Sequence, residues 1–330
     1  MNGKIVIDAM GGDYAPTEVV KGAADAARLM DVNLVLTGRE DAILNELKKY
    51  EYPKEKIEIL NASEVITPDE APTVALKQKK DSSMVVGLKY VKEGKAKAFV
   101  SAGSTGALMA GATLIVGRIR GIERPALATL LPGANGFSLM LDSGANVDAK
   151  PQYLLQYAQM GSVYMESVLG KANPRVALIN IGAEKEKGNA LSKEAYVLLE
   201  NSGLNFVGNI EARDIPFNTE AEIIICDAFV GNIILKYTEG FAKAMLGMVK
   251  KHLMSSALSK IGAFLAKGAF AGLKKSFDYS EVGGAPLLGL NALVVKAHGS
   301  SDAKAVTSAI RQCKSFIDND ITEKIREKIF

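Results

Sequence analysis

The sequence holds no tryptophan, two histidines (His252 and His298) and two cysteines (Cys226 and Cys313) in 330 residues. The cysteines lie far apart, with no CxxC or Cys/His ligand spacing. That excludes a disulfide framework and a zinc site, and reads both thiols as core residues of a reducing compartment. Two histidines rule out a His-rich metal site, and a Ser/His/Asp triad would have to use one of them. No G-x-G occurs, so the dinucleotide fingerprint fails, and no GKS or GKT follows a glycine-rich loop, so the P-loop fails too. G-x-S-x-G and H-E-x-x-H are also missing. No metal and no cofactor is called for. Lys or Arg interrupts every run that would otherwise reach about 18 apolar residues. The first ten residues lack a signal peptide's apolar region, so a cytoplasmic chain is expected.

What is present is ordinary globular composition, 48% hydrophobic and 23% charged, which excludes disorder for the bulk. The length fits one large α/β unit or two lobes sharing a sheet. The net charge of +3 is unevenly spread. Residues 240–277 contain seven Lys and no Asp or Glu, so the remainder carries 33 basic against 37 acidic residues. The basic excess belongs to one segment.

Runs of Val, Ile and Leu alternate with amphipathic stretches. Strands are expected at 4–9, 34–37, 57–60, 96–101, 126–131 and 137–141, with helices at 16–30, 41–50, 73–92, 105–117 and 152–169. The pattern restarts after Pro174, with strands at 175–179, 205–210, 222–226 and 292–297 and helices at 192–201, 232–248 and 302–317. Strands continuous in apolar residues belong to a mostly parallel sheet covered on both faces, an α/β/α sandwich. No linker or solenoid repeat interrupts it. Residues 1–330 therefore read as a single α/β/α catalytic unit, two tightly packed lobes being the other arrangement.

In such sheets ligands bind beyond the carboxyl ends of strands. Those ends here carry six small polar loops, at 8–13, 101–106, 142–146, 180–184, 227–232 and 297–301. In the second, Ser101, Gly103, Ser104 and Thr105 at a strand-to-helix junction can surround an anion with N–H and hydroxyl donors. A capping Ser or Thr on a tight turn explains the same residues. Asn180, Gly182, Lys187 and Asn189 offer amides, backbone N–H groups and a cation for an oxyanion, or form a solvated charged loop. Asp8 and Asp13 around Gly11 and Gly12 suit a cation, substrate hydroxyls or Asx turns. His298 ends the last strand before a helix start, where it can titrate near neutrality or donate to an oxyanion, with Lys296 two residues away on the same strand face.

Within 240–277, Leu258, Ile261 and Leu265 share one helical stripe, and Lys260, Lys267 and Lys274 recur every seven residues. A basic amphipathic hairpin broken near Gly268 fits, able to lie in an anionic membrane interface or to pack as an arm in a dimer. With Phe264, Phe270 and Phe277 as its aromatics and no Arg, it is a poor nucleic-acid binder.

Taken together and in order, IDAMGGDYAP (7–16), KKDSSM (79–84), SAGSTGALM (101–109), RPALATLLP (124–132), LDSGANVD (141–148), NIGAEKEKGN (180–189), DAFVGNIILK (227–236) and KAHGSS (296–301) resemble the bacterial phosphate acyltransferase family PlsX, the fatty acid and phospholipid synthesis proteins. The resemblance runs nearly end to end. It implies transfer of a long acyl chain from acyl carrier protein to inorganic phosphate, giving acyl phosphate for the membrane glycerol-3-phosphate acyltransferase. It also implies an isocitrate dehydrogenase/phosphotransacetylase-like fold, a homodimer, and a projecting hairpin that touches the inner face of the cell membrane. An acidic carrier protein would dock on Lys or Arg. The phosphate cleft is then assigned to Ser101, Gly103, Ser104, Thr105, Asn180, Gly182, Lys187 and Asn189. Phosphotransacetylases are locally similar, but tend to carry Ser-Arg-Gly where this chain has Ala297-His298-Gly299. His298, supported by Lys296, is expected to replace that Arg. The rivals are an acyl-CoA:phosphate acyltransferase of phosphotransacetylase type, a nicotinamide-dependent hydroxy-acid dehydrogenase, and a non-enzymatic membrane scaffold.

Overall fold

The computed structural model describes residues 3–217, 220–276 and 283–329. Phe277, the last residue of the expected hairpin, lies outside them. The strands are β1 (Ile5–Asp8), β2 (Leu34–Gly38), β3 (Ile57–Asn61), β4 (Ala98–Ser101), β5 (Ala126–Leu127), β6 (Thr129–Gly133), β7 (Gly136–Leu141), β8 (Val176–Asn180), β9 (Phe206–Glu211), β10 (Ile223–Ile225), β11 (Ala285–Leu288) and β12 (Leu293–Lys296). They form two sheets rather than one, in the orders β3-β2-β1-β4-β12-β11-β5 and β6-β7-β10-β8-β9. Pairing is parallel except around β11, which runs antiparallel to β12 and β5, and at the β6–β7 hairpin.

The first sheet sends alternate residues into two apolar clusters. Ile5 and Ile7, Ala98 and Val100, and Leu293 and Val295 face one way. Val6, Phe99 and Val294 face the other. Both faces are therefore covered, which is why these strands read as unbroken Val/Ile/Leu runs. Helices Thr17–Leu29 and Ala303–Asp318 pack together so closely that a Cβ on Gly22 would lie 2.6 Å from Val306. Helix Ser83–Lys92 lies on the opposite face, where Gly87 admits the Phe99 ring. The first cluster continues into the second sheet through Leu141, Tyr157 and Ile225, so the two lobes share one core.

Four expected elements differ from what is found. The helix expected at 73–92 is two, Pro72–Gln78 and Ser83–Lys92, because Ser82 caps the Val85 N–H and starts a new helix. The strand expected at 126–131 splits at Ala128, whose N–H turns to Pro286 O at 3.0 Å, and the chain crosses there from one sheet to the other. The helix expected at 105–117 is α-helical over Thr105–Gly111 and then widens into a π turn over Ala112–Val116. The helix expected at 232–248 begins earlier, at Ala228, and runs to Leu253. Two elements went unread. The central Pro286 hides β11, since proline cannot donate to a ladder, and helix Ile321–Ile329 is mostly charged, with only Ile321 and Ile325 buried.

Helix Ala228–Leu253 is capped by Asp227 at the end of β10 and has 26 residues, a rod about 39 Å long at 1.5 Å per residue. None of its residues beyond Gly231 is buried. The chain then turns at Met254 and Ser256 into helices Ala257–Leu265 and Lys267–Ser276. The projecting hairpin is thus broken at 254–256 and at Ala266, ahead of Gly268.

Candidate active site

The ends of β1, β4 and β12 are neighbours in the first sheet, and their loops interlock. Asp8 is buried at its centre. Ser101 Oγ donates to Asp8 Oδ2 at 2.7 Å and accepts the Gly103 N–H at 3.0 Å. The Met10 N–H and Ser83 also bond Asp8. Burial pushes the Asp8 carboxyl up, while the Ser83 and Ser101 hydroxyls and the Met10 and Gly11 N–H groups hold it down. The loops touch backbone to backbone, with the Asp13 N–H donating to Gly299 O at 2.8 Å. Gly12, at φ +110°, lies where a Cβ would meet Ala102 at 2.9 Å. Only glycine fits that conformation and that contact.

Lys296 stands opposite Ser101 in the β4–β12 ladder. Its ammonium donates to Ala102 O at 3.3 Å and to Ala297 O. Burial lowers its pKa to about 8, against the attraction of Asp8 and Asp13 and with repulsion from Lys236. His298 lies at the exposed rim. The Ser300 backbone N–H donates to its Nδ1 at 3.2 Å and the Ser300 hydroxyl lies 2.8 Å from the same nitrogen. Nδ1 is therefore an acceptor, and the neutral ring carries its proton on Nε2. Desolvation lowers the His298 pKa. Glu239 and Asp13 oppose that shift, while Lys236 and Lys296 add to it. Lys296 thus acts on His298 through its field.

The expected anion ligands divide between the two sheets. Around β4, the Ser101 hydroxyl and the Gly103 N–H are bonded to each other and to Asp8. Ser104 caps helix Thr105–Gly111 through the Ala107 N–H, and Thr105 is exposed at that helix start. A second strap holds this loop. Lys79 pairs with Glu70 at 2.7 Å, Asp81 accepts from Ser63, and Pro72 lies 2.8 Å from where a Gly106 Cβ would stand. Around β8, Asn180 Nδ2 donates to Lys187 O at 3.1 Å, and Asn189 caps helix Ala190–Glu200 through the Ser192 N–H at 2.9 Å. Gly182 lies beside the Lys187 side chain, and the Lys187 ammonium is exposed. Among the described residues no hydrogen bond or ion pair joins this loop to residues 101–106.

The second lobe reaches the first through other residues. Asp142, fully buried at the end of β7, accepts five hydrogen bonds, from the N–H groups of Leu127, Gly144, Ala145 and Asn146 and from the Asn146 amide. Leu127 belongs to the first sheet, so this carboxylate joins the lobes. Gly231 of the long helix passes so near that a Cβ would lie 2.0 Å from Asp142 O. Five residues further on, Lys236 pairs with Glu239 at 2.9 Å. The charge of Lys236 reaches both Lys296 and His298, and that of Glu239 reaches His298.

Ser83, Lys236 and Glu239 were not read from sequence as site residues, although each had a signal. Ser83 lies in KKDSSM, Lys236 closes DAFVGNIILK, and Glu239 is the last acid before the acid-free stretch. A separate surface groove of about 450 Å³ lies between helices Thr17–Leu29 and Ala303–Asp318 and includes neither Lys296 nor His298. Its walls mix Glu18, Asp25 and Asp302 with Lys21, Arg28 and Arg311.

Residues 3–324 match the family model described as fatty acid synthesis protein. The chain is 52% identical over 326 residues to a phosphate acyltransferase of Alkaliphilus oremlandii, covering 99% of this chain and 97% of the relative. It is 54% identical over 326 residues to a phosphate acyltransferase of Clostridium botulinum, covering 98% and 97%. Among solved structures, a phosphotransacetylase from Streptococcus pyogenes superposes with a TM-score of 0.64 at 20% identity, covering 95% of this chain and 93% of that one. That likeness is one of fold.

Proposed function

Because the chain belongs to the fatty acid synthesis protein family, we propose that it moves a long-chain acyl group from acyl carrier protein to inorganic phosphate, releasing acyl phosphate for phospholipid synthesis. The end-to-end identity with phosphate acyltransferases supports acyl transfer to phosphate. Lys296 and His298, two residues apart at the end of β12 beside the Asp8–Ser101 loop, carry the proposed chemistry.

Hydrogen phosphate is an anionic nucleophile, and a thiolate, whose parent thiol has a pKa of about 8.5, leaves readily. No covalent enzyme intermediate is needed. A phosphate oxygen attacks the thioester carbonyl, the C–O bond forms, the C–S bond breaks, and the proton of hydrogen phosphate ends on the departing thiol. The protein supplies position and charge. Protonated Lys296 attracts phosphate, and the Nε2–H of neutral His298 donates to the carbonyl oxygen as it becomes an oxyanion. Asp8, Ser101 and Gly103 hold the loop beneath, and of the expected anion ligands the Thr105 and Lys187 side chains are exposed.

The exposed apolar residues suit the proposed surroundings. Phe229, Ile233, Tyr237, Phe241, Met245 and Met248 recur at helical spacing along one exposed face of the long helix, a face for a second copy in a homodimer. At the hairpin end Leu258 and Leu265 are 81% and 79% exposed, with Ile261 beside them. With Lys260 and Lys267 they form a surface for an anionic membrane, each Lys contributing about 1 kcal/mol near the headgroups. Among the described residues no helix is long and apolar enough to cross a membrane. A cytoplasmic enzyme resting on the inner membrane face would hand its product to the glycerol-3-phosphate acyltransferase there.

Product trapping tests the reading. Palmitoyl-acyl carrier protein, phosphate and the purified chain should yield an acyl product that, once separated from unreacted thioester, gives palmitoyl hydroxamate with hydroxylamine in amount equal to the thiol released. Thiol release with free palmitate as the sole acyl product overturns it.

A further inference from the structure

Resting on the reading that the acyl donor is a carrier-protein thioester, we propose that the groove between helices Thr17–Leu29 and Ala303–Asp318 is the docking surface for that acidic carrier protein, held by Lys21, Arg28, Lys304 and Arg311. The groove has a volume of about 450 Å³. Its place follows from the first sheet. The two helices come after β1 and β12, so both start at the edge where the candidate site lies. Their starts are tied together, the Glu18 carboxylate accepting the Ala303 N–H at 2.8 Å. The loops before them meet where the Asp13 N–H donates to Gly299 O at 2.8 Å. Ser301, which precedes the groove residue Asp302, donates its N–H to His298 O at 3.0 Å. The groove therefore opens at the loop that carries His298 and runs away from it between the helices. A thioester borne by a protein reaches the site only if that protein docks at such a mouth.

The charges of the groove suit an acidic helix. Lys21 and Arg28 stand seven residues apart on one helix, and Lys304 and Arg311 stand seven apart on the other. Seven residues are two turns, about 10 Å, so each helix sets two cations on one face. All four are exposed, and both rows line the one groove. Three carboxylates line it too, and each is engaged. Glu18 and Asp302 accept backbone N–H groups at a helix start, the latter from Ala305 at 2.9 Å, where the helix dipole offsets their charge. Asp25 pairs with Arg28 at 2.9 Å on the surface of its own helix, a pair weak enough to yield to a competing carboxylate. The Lys21 and Arg311 side chains pair with no carboxylate among the described residues. Leu29 and Ala303 are the only apolar residues of the lining, so the groove offers charge rather than a slot for the acyl chain. A partner helix with carboxylates every three to four residues meets both cation rows, and Leu29, 63% exposed, gives it an apolar contact at the far end.

The test makes Lys21→Glu with Arg311→Glu in the full chain, and Lys54→Glu with Lys171→Glu as a control that changes the charge equally at two other exposed lysines. Palmitoyl-acyl carrier protein and phosphate are varied separately. The groove variant should raise the carrier-protein KM at least tenfold while its phosphate KM and kcat stay within twofold of wild type. The control should leave all three within twofold. Added NaCl should raise the carrier-protein KM more steeply in the wild-type chain than in the groove variant, because screening acts on the pairs the variant has lost. A carrier-protein KM within twofold of wild type in the groove variant, or an equal rise in the control, overturns the assignment and leaves the transferase reading intact. Fluorescence anisotropy of dye-labelled acyl carrier protein separates the two failures. If the wild-type chain binds it yet releases no thiol from the palmitoyl form, and the groove variant does not bind it, the transferase reading fails and the docking surface stands. Equal binding by both chains, or binding by neither, overturns the surface. A changed oligomeric state of the groove variant in sedimentation velocity gives the groove to a second copy of the chain and overturns it as well.

Discussion

Replacing Ser101 by Ala separates a loop-building hydroxyl from a substrate-binding one. The Ser101 side chain is 1% exposed, gives its proton to Asp8 at 2.7 Å and accepts the Gly103 N–H at 3.0 Å. A hydrogen bond to a charged partner contributes about 1.5–3 kcal/mol, and leaving the partly buried Gly103 donor unmet costs about 1 kcal/mol more. The Ser101→Ala chain should therefore lose about 2.5–4 kcal/mol, read from urea unfolding curves fitted with a common slope. The coupling is specific. Adding Asp8→Asn should cost at least 1 kcal/mol less in the Ser101→Ala background than in wild type, because the shared bond is already gone. A stability loss below about 0.5 kcal/mol, together with a tenfold rise in phosphate KM, would refute the reasoning and return the hydroxyl to the substrate.

Gly231→Ala places a methyl 2.0 Å from the Asp142 carbonyl oxygen, so it should destabilise by about 3 kcal/mol, visible as an earlier urea midpoint. His298→Ala should lower kcat at saturating substrates by about 100-fold, since one oxyanion donor is worth that much; unchanged turnover would remove His298 from the chemistry. The phosphate KM should rise as pH passes up through about 8, where Lys296 loses its proton. That bend should move upward in Lys236→Met, because removing a neighbouring cation raises the Lys296 pKa while Asp8 and Asp13 still attract its proton. Leu258→Glu with Leu265→Glu should abolish sedimentation with anionic vesicles and leave stability within about 0.5 kcal/mol, since both side chains are already exposed.

The parallel sheet was legible because β1, β4 and β12 are covered on both faces and so carry unbroken apolar runs. The polar loops after them were legible because small polar residues follow directly on each apolar run, at the strand ends where such sheets bind ligands. Partnership within the site was not. Ser101 and Gly103 look like anion ligands in a Gly/Ser-rich turn, and only tertiary structure reveals that their donor and acceptor meet each other and Asp8, 93 residues away. The division into two sheets was hidden by a single residue, Ala128, within an otherwise continuous β pattern.

The central claim is that this chain joins phosphate to an acyl group taken from a carrier-protein thioester. Its most direct test is the rate of thiol release from palmitoyl-acyl carrier protein with and without inorganic phosphate, repeated with palmitoyl-CoA. Release that requires phosphate and favours the carrier protein is the predicted result. Release independent of phosphate, or release from the CoA thioester alone, would contradict it.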